Sequence, residues 1–258
     1  MFVWFRGTPF DADMVAFDKD GTLIDFEFMW GRLAVVWVEH LTRDIGHEAL
    51  GQELYRSLGY DPQRQRTEPQ SPLAIATTAQ LQTIAAATLY RLGIPWPEAE
   101  DRARVAFQTS QDLPLASLIR PTGDVAGLCA GLQAVGVRVA VITTDHRAET
   151  EETLRMLRIS GLVDCVVCGD DGLPPKPAPD MLLAACKQLE VKPERCAVVG
   201  DTAGDLLMAR RAGAGLAVAV LTGAGDPVYL AEHSQLVLRS IDEITLTGAR
   251  SQPPQARV

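Results

Sequence analysis

Residues Met14–Leu23 read MVAFDKDGTL. Met14–Phe17 is a four-residue apolar run, the length of a short buried strand. The run stops at Asp18-Lys19-Asp20-Gly21. If the chain stays extended, Asp18 and Asp20 project to one face, where two like charges oppose each other's ionisation. A cation between or beside them relieves that repulsion. Gly21 allows a sharp turn or a close approach of backbone to ligand, and Thr22 adds a hydroxyl. A surface turn rich in Asp and Gly would account for the same string, so the choice between site and turn rests on the rest of the chain.

The 258 residues suffice for one large domain or a core with an insert. Apolar residues make up 47% and charged residues 22%, the balance of a globular protein. Lys and Arg number 24 against 33 Asp and Glu, a net charge of -9. That argues against a nucleic-acid partner, whose footprint is basic. It leaves room for a small anionic substrate, because a local cation can dominate a site. The opening MFVWFRGTPF is too short to span a bilayer and is interrupted by Arg6, and no other uncharged run reaches membrane length. No membrane partner is expected, and the cytoplasm is the expected location. Oligomeric state is left open. The cysteines are Cys129, Cys165, Cys168, Cys186 and Cys196. Strand alternation through Val166-Val167 sends Cys165 and Cys168 to opposite faces, so buried free thiols are expected rather than a metal or redox pair.

Residues 24–118 are helical in character. Met29, Leu33, Val36, Trp37 and Leu41 form an apolar stripe at helical spacing. Trp30 beside it is assigned to core packing, and His40 and His47 to surface or half-buried positions. A short helix ends at Gly59, residues 61–72 read as a polar, proline-containing loop, and further helices run through Leu81–Leu92 and Asp101–Ser110. From Pro121 the pattern alternates. Helices are expected over Val125–Ala134, from Asp145 through Leu157, over Pro179–Leu189 and over Asp205–Ala212. Strands are expected over Val137–Ile142, Val163–Cys168, Cys196–Val199 and Leu216–Val220. Such alternation predicts βαβ units with a parallel sheet. Ligands bind beyond the carboxyl ends of strands in such sheets, and Asp18, Thr143 and Asp201 all fall there.

Three further groups carry possible chemistry. Thr143 and Thr144 follow a strand and could hold phosphate oxygens or simply cap a helix. Lys176, between Pro175 and Pro177, is either a stiff surface lysine or an ammonium positioned for phosphate or carboxylates. Asp201 and Asp205, in GDTAGD, can converge on one cation or lie along an exposed helix face. Asp170 and Asp171 read as solvated loop residues. Gly213-Ala214-Gly215 reads as a helix cap and turn. Leu221-Thr222-Gly223-Ala224-Gly225 lacks the lysine and hydroxyl of a nucleotide loop.

Together these segments resemble the haloacid dehalogenase-like phosphohydrolases. The resemblance rests on Asp18, Asp20, Gly21, Thr22 and Leu23, on Thr143 after its strand, on Lys176-Pro177-Ala178-Pro179, and on Gly200-Asp201 with Asp205, in that order. It implies an α/β fold: a Rossmann-like three-layer core with a parallel sheet, residues 11–23 and 119–245, plus an inserted all-helical cap, residues 24–118. The tail 246–258 is expected to be loose. The resemblance also makes the 221–225 segment a variable loop at the site rim.

The activity implied is Mg²⁺-dependent hydrolysis of a small phosphorylated metabolite. Asp18 would be nucleophile and Asp20 general acid and base. Asp18, Asp20 (through its carbonyl), Asp201 and Asp205 would hold the metal. Gly21, Thr143, Thr144 and Lys176 would hold the phosphate. Dehalogenases of the same fold lack the second Asp, so Asp20 speaks for phosphoryl transfer. The likeness is to phosphoglycolate-phosphatase-like members, and the cap arginines Arg32, Arg43, Arg56, Arg64, Arg66 and Arg91 are candidates for a second anionic group. A sugar-phosphate phosphatase, a β-phosphoglucomutase-like mutase and a non-catalytic binding protein are the alternatives.

Overall fold

The computed structural model describes residues 1–43, 48–110 and 113–246. The expectations for His47 and for the tail from residue 247 fall outside these residues. The chain divides into two compact units. One contains Met1–Ile24, Pro121–Gly223 and the chain from Pro227 onward; the other contains Asp25–Arg120 with Ala224–Asp226.

The first unit is built on a six-stranded parallel sheet. Its strands are β3 (Met14–Phe17), β6 (Arg138–Ile142), β7 (Cys165–Val167), β8 (Cys196–Gly200), β9 (Leu216–Val220) and β10 (Leu236–Leu238), in the order β10-β9-β8-β3-β6-β7. β3 is central and all four of its residues are buried. A strand covered on both faces reads as a continuous apolar run. On one face Met14, Ala16, Ala140, Ile142, Val198 and Ala217 pack with the helices α8 (Asp180–Gln188) and α9 (Ala203–Ala212). Val15, Phe17, Val139, Val141 and Val199 alternate with them and are equally buried. The chain runs from β3 outward through β6 to β7, then crosses to β8 on the other side of β3. The ends of β3, β6 and β8 therefore flank the point where strand order reverses, the usual ligand position in such sheets.

Between these strands, α6 (Val125–Ala134) starts at Asp124, whose carboxylate accepts the Gly127 N–H at 2.9 Å. The next helix, α7 (Arg147–Met156), begins later than expected, with His146 as its cap. Gly213 ends α9 with a φ of 75°, a left-handed cap. All five cysteines are buried and free, as their placement in apolar runs implied.

The N-terminal residues have a role the sequence reading did not give them. β1 (Phe2–Phe5) and β2 (Thr8–Asp11) form a hairpin, and β11 (Ile244–Thr245) adds to it in a three-stranded antiparallel sheet. Arg6 and Gly7, both at positive φ, supply the tight two-residue turn. Two four-residue strands flanking Arg6-Gly7 are too short for periodicity to reveal.

In the second unit a π-helical turn (Glu27–Gly31) leads into α1 (Arg32–Thr42), followed by α2 (Glu48–Leu58), α3 (Pro72–Ile75), α4 (Thr78–Arg91) and α5 (Trp96–Thr109). Trp37 stacks on Phe107 with centroids 4.1 Å apart, at the centre of its apolar core. The buried stripe of α1 is Leu33, Ala34, Trp37, Val38 and Leu41, so Val38 rather than Val36 faces inward. Trp30 packs against this cluster, with Trp37 as its edge-on neighbour. α5 starts five residues before the expected Asp101 because Pro95 and Pro97 suit a helix start. The loop reading of 61–72 is corrected: Tyr60–Asp61 (β4) pairs antiparallel with Arg66–Thr67 (β5). The Glu27 carboxylate holds this hairpin, accepting the Thr67 N–H and hydroxyl at 2.8 Å each.

Candidate active site

Asp18 follows the last residue of β3, where its N–H still donates to the Val199 carbonyl at 2.9 Å. Parallel register sets Phe17 beside Val141 and Val199. Asp18, Thr143 and Asp201 consequently emerge at one rim of the sheet. Gly21 has a φ of 78°, and a Cβ there would lie 2.3 Å from Asp201 Oδ2, so glycine is required for both reasons. Thr22 is fully buried, and its hydroxyl donates to Asp201 Oδ1 at 3.4 Å.

Lys176 reaches this rim from a proline-rich loop whose Lys176–Pro177 peptide is cis. Its Nζ lies 2.6 Å from Asp18 Oδ1 and 2.6 Å from Asp205 Oδ1. Asp205 also closes the capping box at the start of α9, whose N-cap is Thr202: its Oδ2 accepts the Thr202 N–H at 3.1 Å and the Thr202 hydroxyl at 2.5 Å. With both oxygens engaged, Asp205 is shaped to orient Lys176 and the helix start together. Asp201 is wholly buried at the end of β8.

Carboxylate oxygens of Asp18, Asp201 and Asp205 all lie within 4.8 Å of one another. Three buried acids face one ammonium. Burial pushes the Asp18 carboxyl up to about 6 against the pull of Lys176. Burial, then Asp18 and Asp205, pushes Asp201 well above the usual range. A hard divalent cation relieves this pressure, and an all-oxygen donor set suits one. The residues present fit a metal.

Asp20 is handled separately. Its Oδ1 is 2.5 Å from Lys19 Nζ, and Lys19 also pairs with Asp145 Oδ2 at 2.8 Å. Burial pushes the Asp20 carboxyl up to about 7, with Lys19 opposing. Asp145, expected from sequence at the start of a helix, is thus part of this group. Alternation along an extended strand sends Lys19 to the face opposite Asp18 and Asp20, yet its long stem brings Nζ back to Asp20.

The Thr143 side chain is buried, and its hydroxyl accepts the Asp145 N–H at 3.2 Å. Thr144 is exposed. From the 221–225 loop, the Thr222 hydroxyl donates to the Gly21 carbonyl at 2.5 Å. A Cβ on Gly223 would meet Asp201 Oδ2 at 1.7 Å. No sequence signal beyond the glycine itself marks that contact. Asp170 and Asp171 are exposed but not merely solvated: Arg147 Nη2 bonds Asp171 Oδ2 at 2.6 Å, and its N–H bonds Asp170 at 3.0 Å.

Among the arginines of the second unit, Arg32 donates to the Ser117 carbonyl at 2.6 Å and lies over the Phe28 ring. Arg120, not singled out from sequence, lies over the same ring 4.5 Å from its centroid and pairs with Asp25 at 2.5 Å. Arg56 and Arg64 form ion pairs within their own local segments, with Glu53 and Asp61.

The model of the haloacid dehalogenase-like hydrolases matches residues 12–213. The chain belongs to this family. A phosphoglycolate phosphatase of Nitrosospira multiformis is 39% identical over 47% of this chain and 53% of its own. A putative pyrophosphatase, PpaX, of Caldanaerobacter subterraneus is 27% identical over 77% of each chain. The chain spans about half the length of the phosphoglycolate phosphatases it matches. The structure of a haloacid dehalogenase family hydrolase from Deinococcus radiodurans, solved with phosphate and sodium, superposes with a TM-score of 0.64 at 23% identity, covering 90% of this chain and 93% of that one. That likeness establishes the haloacid dehalogenase-like fold. No helix among the described residues is long and apolar enough to cross a membrane.

Proposed function

We propose that this haloacid dehalogenase-like hydrolase cleaves phosphate monoesters of small metabolites, with Mg²⁺ held by Asp18, Asp201 and Asp205 and by the Asp20 carbonyl. The observation that carries this reading is the shared hydrogen bonding of Lys176 to Asp18 and Asp205 beside three clustered carboxylates. Asp18 attacks phosphorus, and the ester P–O bond breaks with its electron pair left on the departing oxygen. That oxygen takes a proton from Asp20. In the second step the Asp20 carboxylate removes a proton from water as the water oxygen bonds to phosphorus and the Asp18–phosphorus bond breaks. Lys176 balances charge on the transferring oxygens, and the Thr143 region and Gly21 backbone line its position. Mg²⁺, when bound, offsets the negative charge of acids and phosphate so that the two can approach.

An acid poised near 7 at Asp20 supports its double role. Phosphoglycolate is the first substrate choice, supported by the names of several relatives that are 30–39% identical over their aligned stretches. Pyrophosphate is the second, supported by relatives named pyrophosphatase. Five buried free thiols suit a reducing compartment, and we place the protein in the cytoplasm.

The test is a panel of 2-phosphoglycolate, pyrophosphate and sugar phosphates with Mg²⁺, measuring kcat/KM and product identity, beside the Asp18→Asn variant. Phosphate release by the wild type and its loss in the variant is expected. Turnover unchanged by Asp18→Asn overturns the mechanism. An isomeric sugar phosphate without free phosphate would mean a mutase, and a wild type inert on the whole panel would mean a binding protein.

A further inference from the structure

Two buried ammonium groups divide four of the site's acids between them. Lys176 takes Asp18 and Asp205, and Lys19 takes Asp20 and Asp145. We propose that Lys19 is a positioning residue that fixes the Asp20 carboxyl for proton transfer to the ester oxygen, and that Asp145 holds Lys19 in that pose. The inference rests on the acid–base reading of Asp20 given above.

Lys19 is only 1% exposed. Its backbone is pinned as well: its carbonyl accepts the Leu23 N–H at 2.9 Å and the Ile24 N–H at 3.1 Å. A buried ammonium is costly unless paired and hydrogen-bonded. Well-packed apolar residues in place of a buried ion group are often as stable or more so. Stability alone therefore does not explain a lysine here. Geometry gives it a use. Asp20 must present one oxygen to a leaving group within hydrogen-bond reach, and small misplacements of a catalytic group cost large factors in rate. Lys19 grips Oδ1 and thereby sets the direction of the carboxyl plane. Asp145 enters from the loop after β6, a separate strand, so the grip ties the ends of two strands together. As Asp18 forms its bond to phosphorus and the ester bond breaks, the proton passes from Asp20 to the departing oxygen, and Lys19 keeps its own proton throughout.

The test compares two substrates in one preparation. p-Nitrophenyl phosphate releases a stable anion that needs no proton. An alkyl phosphate, the best of the panel above, releases an oxygen that does. The ratio of the two kcat/KM values cancels the fraction of folded enzyme, so partial misfolding does not obscure the result. Lys19→Met should lower the alkyl-to-aryl ratio by about tenfold or more, up to the roughly 10²–10⁴ that a general acid contributes. Asp145→Asn should lower it in the same direction by less, and Lys19→Arg, which keeps the charge, should retain more of it than Lys19→Met. If Lys19→Met does not fold, the Asp145→Asn and Lys19→Arg ratios decide. Equal losses on both substrates, or an unchanged ratio, overturn the role of Lys19. Asp20→Asn separates the two readings: if it leaves the ratio intact, the acid assignment of Asp20 fails; if it lowers the ratio while the Lys19 and Asp145 variants do not, the positioning inference alone fails.

Discussion

Lys176 Nζ sits 2.6 Å from Asp18 Oδ1, a bond made across 158 residues of sequence. The same nitrogen is tied to Asp205, so its position is set by the helix start as well as by the proposed nucleophile. Lys176→Met is expected to lower kcat/KM by roughly 10²–10³, the loss seen on removal of one preorganised charge donor. Lys176→Arg is not expected to rescue it, because a planar fork cannot occupy the place of a compact ammonium between two carboxylates. Steady-state rates on p-nitrophenyl phosphate, with circular dichroism to verify folding, check both outcomes.

Metal should stabilise the fold most where protons are scarce. The Asp18 carboxyl is raised from 3.8 to about 6. A raised acid gives the folded, metal-free protein its full advantage below the unfolded value, and that advantage fades as pH rises through the folded value. Mg²⁺ competes with the same protons. Thermal unfolding should show a larger Mg²⁺-induced rise in Tm at pH 7.5 than at pH 5. At a hundredfold excess over Kd the rise is about 5–10 °C. Asp201→Asn should reduce the rise, and an equal response at both pH values would count against the site.

Gly223 should resist the smallest substitution. Its added Cβ would fall 1.7 Å from Asp201 Oδ2, whereas one on Gly172 meets nothing within 4 Å. Gly223→Ala must displace Asp201 or the loop, and a large loss of turnover together with a reduced Mg²⁺ response is expected. Gly172→Ala, at a φ of 75°, carries only backbone strain of about 1 kcal/mol. Activity and Tm of the two variants, measured side by side, make the comparison.

The N-terminal sheet is tied to the core by charge. Arg195 bonds Asp13 at 2.7 Å and Asp11 at 2.9 Å, and Met1 donates to Asp11 at 2.7 Å. Hydrogen bonds from Arg195 hold both carboxyls below their usual range. Such depressed acids stabilise above the unfolded value near 3.8 and lose that contribution as pH falls through the folded values. Arg195→Ala should therefore lower Tm at pH 7, with the difference from wild type shrinking below pH 4. The groups are half-buried at the surface and the effect should weaken in high salt. A pH-independent difference would point to lost packing instead.

Much of this was legible from residue order. The βα alternation from Pro121 to Val220 is readable because its strands are short apolar runs followed within two residues by Gly, Asp or Thr, whereas the three-residue edge strand β10, closed by Arg239, is too short to stand out. Asp18, Lys176 and Asp201 could be picked out because each interrupts such a run or loop with charge. Lys19 and Asp145 could not, since their significance is a contact between side chains from two strands, and alternation even pointed Lys19 the wrong way. Gly223 acts through close approach to Asp201 and Thr222 through a hydroxyl bond to the Gly21 carbonyl, long-range contacts that leave no compositional trace. The hairpin at Phe2–Asp11 was missed because its strands are four residues each, below the length at which a period of two becomes visible.

The central position of β3 has a consequence for synthesis. Its sheet neighbours are β6 and β8, whose first residues are Arg138 and Cys196. At bacterial-to-eukaryotic elongation speeds the strand that carries Asp18 waits on the order of 6–24 s before its first partner is even translated. During that interval its backbone donors and acceptors have no native partner strand, and all the native pairings of β3 are long-range. The strand that leads into the proposed nucleophile, among the first parts of the chain to be made, is among the last that can be locked into place.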